Sequence, residues 1–121
     1  MDANNTKYVL ALINPNDPKV GLNDFKIGLY KMETMMSFPM VENFVIKHDP
    51  RMPSMGNHTS PNNTDLTFDT TSKMYEGKLS LTMTGYWKLN LMLYNASNQL
   101  IKGEEVTANN DSSSLFLELE F

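Results

Sequence analysis

Residues 52–58 read Met-Pro-Ser-Met-Gly-Asn-His, which spaces two thioethers and an imidazole at intervals of three. Pro53 and Gly56 are turn formers, so the segment can fold into consecutive tight turns. Residues three apart in such a turn project to one side. The sulfurs of Met52 and Met55 and the ring of His58 are therefore expected to converge. Thioether sulfur is a soft, neutral donor that suits Cu(I) and offers little to Mg, Ca or Zn. It remains a donor in acid, where only the histidine is lost to protonation. His48 and Asp49 lie just upstream and could supply the nitrogen and oxygen that Cu(II) prefers. The composition adds weight to sulfur. The chain has ten methionines and no cysteine, and six of the ten stand between Met32 and Met55. Both histidines lie in or beside that stretch.

Methionine is also an ordinary filler of irregular cores. Met32, Met74 and Met92 have no special context and read as packing, while Met35, Met36 and Met40 could cap one end of the fold. Other chemistries are thin. The lack of cysteine removes disulfides, thiolate zinc sites and thiol nucleophiles. No nucleophile elbow, phosphate-binding loop or dinucleotide fingerprint occurs. Glu104 and Glu105 are neighbours that face opposite ways in a strand, so they make no carboxylate pair. The chain is accordingly read as not an enzyme. Ten Lys+Arg stand against 14 Asp+Glu, a net charge of −4, which argues against a nucleic-acid partner because that affinity needs clustered basic residues. No run of about eighteen apolar residues suggests a membrane-spanning helix.

The elements that must carry these residues have a period of two, the mark of half-buried strands. Strands are predicted over 7–13, 23–31, 43–47, 75–83, 87–93, 100–107 and 114–121. Phe25, Ile27 and Leu29 share one face, as do Leu79, Leu81 and Met83. The third such face holds Trp87, Leu89, Leu91 and Leu93, and the last Leu115, Leu117, Leu119 and Phe121. The stretch from Asp49 to Thr71 loses the alternation and is expected to be a long, shaped loop. About seven short strands in 121 residues predict an all-β fold, an antiparallel β-sandwich of immunoglobulin type, with Trp87 at its centre in place of a cysteine pair. A small closed barrel is the alternative. The chain reads as one domain over 1–121, with the polar residues 1–6 as a tether and no visible signal peptide.

The Met-Pro-Ser-Met-Gly-Asn-His run precedes Tyr75-Glu76-Gly77 and then Leu-Ser-Leu-Thr-Met-Thr-Gly-Tyr-Trp-Lys-Leu over 79–89. In this order the segments resemble the YtkA-like domain, close to FixH-like proteins, across roughly 14–93. The resemblance implies an immunoglobulin-like domain in the periplasm or at the cell surface, often lipid- or membrane-tethered and associated with copper handling or oxidase assembly. By that resemblance Met52, Met55 and His58 match the metal loop, and Met83 matches the methionine before the Gly-x-Trp turn. The expected function is transient capture and transfer of Cu(I) by a monomer, with a copper donor or acceptor protein as partner. The candidate ligands are Met52, Met55, His58, His48 and Met83. The alternative is a non-catalytic interaction or adhesion module of a larger surface protein, with structural methionines forming an apolar docking patch.

Overall fold

The structure, a computed structural model, describes residues 7–32, 36–37, 39–56, 58–60, 62–107, 109–110 and 112–121, with backbone alone at residue 58. The expected tether at 1–6 and Met35 lie outside the described residues. The described strands are β1 (Lys7–Asn14), β2 (Gly21–Met32), β3 (Val45–Met52), β4 (His58–Thr59), β5 (Leu66–Asp69), β6 (Met74–Leu81), β7 (Tyr86–Tyr94), β8 (Leu100–Lys102) and β9 (Phe116–Glu120). A 3-10 turn, Pro53–Met55, follows β3 on the way to β4.

The strands pair in the order β1-β2-β6-β5-β3-β7-β8, with β4 also on β3 and β9 also on β7. Every pair is antiparallel. Strands β5 and β4 follow each other along one side of β3. Strands β8 and β9 do the same along the free side of β7. The result is a four-strand half, β1-β2-β6-β5, and a half built on β3 and β7, the strand order of a constant-type immunoglobulin sandwich. Only two residue pairs, Val45 with Thr67 and Ile46 with Leu66, join the halves, so the sheet bends over at that corner and nearly closes like a barrel.

The core follows the alternation. Phe25, Ile27 and Leu29 of β2 face Trp87, Leu89, Leu91 and Leu93 of β7, all buried. Leu79 and Leu81 of β6 and Leu119 of β9 complete the cluster. Each such side chain contributes about 1.5–3 kcal/mol of burial. Tyr75 is also buried, and its hydroxyl donates to the Val41 carbonyl (2.8 Å) and accepts from the Phe44 amide (3.1 Å). That pair satisfies a polar tip inside an apolar layer, as burial of a tyrosine requires, and burial pushes its pKa up.

Two expectations change. The predicted 49–71 loop carries three pieces of strand: β3 runs on through Pro50 to Met52, and β4 and β5 occupy part of the remainder. Pro50 is tolerated because its carbonyl accepts from Thr59 Oγ1 (2.9 Å) on the side away from β7. Its nitrogen lies on that same side, so the β7 ladder loses no bond. Further on, Thr64 and Asp65 lie so close to β6 that a Cβ on Gly77 would stand 2.7 Å from the Asp65 carbonyl oxygen. Second, two predicted strands are shorter: β6 ends at Leu81 rather than reaching Met83, which falls in the turn to β7, and the 100–107 strand is β8 only over Leu100–Lys102.

Candidate metal-binding pole

The strand directions sort the methionines. β3 and β6 end, and β2 and β7 begin, at one pole of the sandwich; Met52, Met55 and Met83 belong there. Met32, Met40 and Met74 lie at the opposite pole, where β2 ends and β6 begins. Eight residues of β3 separate the two groups by roughly 26 Å at about 3.3 Å per residue. The cluster that is dense in sequence between Met32 and Met55 is therefore split in space, and Met83 joins its C-terminal half.

Met52 and Met55 part in direction. Even-numbered residues of β3 face inward, and Met52 continues that series after Ile46 and Pro50 with 2% of its surface exposed. The strand period thus governs Met52, and the turn begins only at Pro53. Met55, in the turn, is 53% exposed. Gly56 closes the turn with a left-handed backbone (φ 69°), and β4 then places residue 58 opposite Met52 in the ladder.

The inward end of Met52 meets the second loop. Its Cε lies 2.8 Å from where a Cβ on residue 85 would stand, so the glycine leaves the space that the methionine fills. Gly85 has φ 135°, which L side chains rarely adopt. Two residues before it, Met83 is 37% exposed, and its carbonyl accepts from Trp87 Nε1 at 3.0 Å. Gly85 is held in turn by Phe121, amide to carbonyl in both directions (3.0 and 3.3 Å). Sequence reasoning had Met83 closing an inward face; the sign that it sits in a turn is the Thr84-Gly85 pair that follows.

His48 is elsewhere. It stands four residues back along β3, roughly 13 Å from Met52. Its ring meets Phe25 edge-on, with centroids 4.8 Å apart. Its Nε2 lies 2.7 Å from the Thr64 carbonyl, which can only accept, so Nε2 carries the proton. The buried Nδ1 has no hydrogen-bond partner among the described residues. Burial lowers the pKa of His48, partly opposed by the Thr64 carbonyl and by Asp65 and Asp49. The unfolded chain takes up a proton below its ordinary pKa near 6.5 while the folded chain resists it. Stability is therefore expected to be level above about pH 6.5 and to fall as pH drops toward the lower folded-state pKa, with a limiting slope of about 1.4 kcal/mol per pH unit. Urea unfolding between pH 7.5 and 5 should show this decline, and His48→Gln, which keeps a donor for Thr64 without titrating, should flatten it.

Among the described residues no three of His, Asp and Glu gather as a metal-holding group. The concavity beside His48 has a volume of about 350 Å³ and is lined by Asp49, Arg51, Thr59, Ser60 and Asn63. Arg51 and Asp49 pair within it at 2.6 Å. The concavity offers neutral oxygens and one already neutralised carboxylate. The donors at the pole are different in kind, thioethers from two loops. Comparison with known protein families, with curated proteins and with solved structures finds no match to this chain.

Proposed function

We propose that the chain is an extracytoplasmic copper-binding protein that captures Cu(I) at this pole and passes it to a partner protein, without catalysis. The observation that carries the reading is the meeting of two segments far apart in sequence: the end of Met52, the last residue of β3, rests against Gly85, in the turn that bears Met83. A buried methionine on the core side and the more exposed side chains of Met55 and Met83 suit a soft monovalent ion held at the rim of the core. His58, opposite Met52 in the ladder, is the proposed nitrogen donor. His48 is left out of the ligand set because its Nε2 is engaged by Thr64 and it lies a strand's half-length away. Neutral ligands that are partly open to solvent favour exchange with a second carrier over permanent retention.

The test is a titration of the purified chain with Cu(I) against a competing chelator, and with Ag(I) and Zn(II) in parallel. One Cu(I) and one Ag(I) per chain with no Zn(II) uptake is the expected result. Absence of saturable Cu(I) binding removes the reading.

The same pole exposes Val20 (57%) and Leu22 (61%), which favours a second reading as an interaction module. Val20 and Leu22 substituted by Ser separate the two. Loss of partner capture with unchanged Cu(I) affinity supports docking, and the copper reading does not require it.

A further inference from the structure

We propose that Trp87 is the positioning residue of this pole: it holds the Met83 turn against Met52 so that a soft monovalent cation meets both loops in one place. The inference rests on the copper reading above. Trp87 is the first inward residue of β7, and its surface is fully buried. A buried indole N–H needs an acceptor, and the acceptor here is the carbonyl of Met83, the residue that carries the outer thioether, at 3.0 Å. The connection from β6 to β7 is only four residues long, 82–85. Its far end is tied to Phe121 through Gly85. The turn is thus fastened at both Met83 and Gly85. Gly85, lacking a Cβ, lets the Met52 methyl lie directly on the fastened backbone.

A site made from weak neutral donors gains most from such fastening. Each donor contributes little, so the cost of ordering a free loop would consume much of the binding free energy. With the indole bond in place the Met83 turn is ordered before the ion arrives. Replacing the indole by a phenyl ring removes the N–H and keeps an aromatic in the core, though a smaller one, so it should cost affinity and some stability together.

Trp87 is the single tryptophan of the chain, so its indole N–H gives one resolved NMR signal. Ag(I) serves as the probe because it is soft, monovalent and stable in air. In the wild type the indole signal is expected to shift saturably as one Ag(I) binds, with slower hydrogen exchange in the bound form. Trp87→Phe, with a dispersed spectrum showing that it folds, is expected to bind Ag(I) roughly tenfold more weakly. An indole signal that stays in place while wild type saturates overturns this inference and leaves the copper reading intact. So does equal affinity in folded Trp87→Phe. Where Trp87→Phe does not fold, the wild-type indole shift decides alone. A wild type that takes up neither Ag(I) nor Cu(I) overturns both readings.

Discussion

Replacement of Met55 and Met83 together by leucine is expected to weaken Cu(I) binding roughly 100-fold, on the scale of losing determinants of a metal site, while the thermal midpoint hardly moves. The two parts of this result have separate causes. Leucine has nearly the volume of methionine but no sulfur lone pair, so the donors vanish and the shape stays. Both side chains are well exposed, at 53% and 37%, and substitutions at such positions usually change stability by no more than about 0.5 kcal/mol. Met52 is the contrasting case. It is 2% exposed and packs in the core cluster, so Met52→Leu alters binding and packing at once, and its stability cost of up to about 1.5 kcal/mol must be measured alongside. The measurement is a competitive Cu(I) titration with a thermal melt of each variant. Unchanged affinity in the double variant would make the exposed thioethers surface residues and return the pole to the docking reading.

The largest expected loss of stability comes from Asn90→Leu. Asn90 lies on the outward face of β7 yet is fully buried. Its Nδ2 donates to the Asp49 carbonyl at 2.9 Å, and its Oδ1 accepts from the Ser113 amide at 2.9 Å. Ser113 continues the network by donating from Oγ to the Leu91 carbonyl and accepting from the Glu104 amide. The asparagine therefore joins three segments, β3, β7 and the crossing before β9. Leucine fills its volume but leaves the Asp49 carbonyl without this donor and the Ser113 amide without this acceptor. Each such buried loss costs about 1–3 kcal/mol, so a total of roughly 2–5 kcal/mol is expected. Urea unfolding monitored through Trp87 reads it as a lower midpoint at unchanged m-value. A shift below about 1 kcal/mol would mean that water replaces the side-chain partners.

Nothing in the alternation separates Asn90 from a solvated strand residue. Read by period, it falls with Lys88 and Met92 on the face opposite Leu89 and Leu91. Its burial arises because the segment around Ser113 crosses over β7, a contact between residues 23 apart. The same holds for β5. Leu66, Thr67, Phe68 and Asp69 form too short a run, among too many Asn, Pro and Thr residues, to stand out as a strand. They become one because β3 and β6 both offer free edges there. In the candidate site, spacing drew Met52, Met55 and His58 together as a motif. It gave no sign that Met52 would obey the strand period and turn inward, since that parity is set by Ile46 and the β7 ladder.

What the sequence determined by itself was local: the alternation that makes strands, the number of apolar faces, and a donor chemistry of sulfur with no thiol. Steric and hydrophobic preferences act over neighbouring residues, so they are legible without the fold. The tertiary structure alone decided which methionines share a pole. Strand direction carried Met40 to one end of β3 and Met52 to the other, and the crossing from β6 to β7, strands that do not pair with each other, brought Met83 from thirty residues away to the Met52 side. Proximity of that kind depends on register and chain path, which no short stretch of sequence encodes.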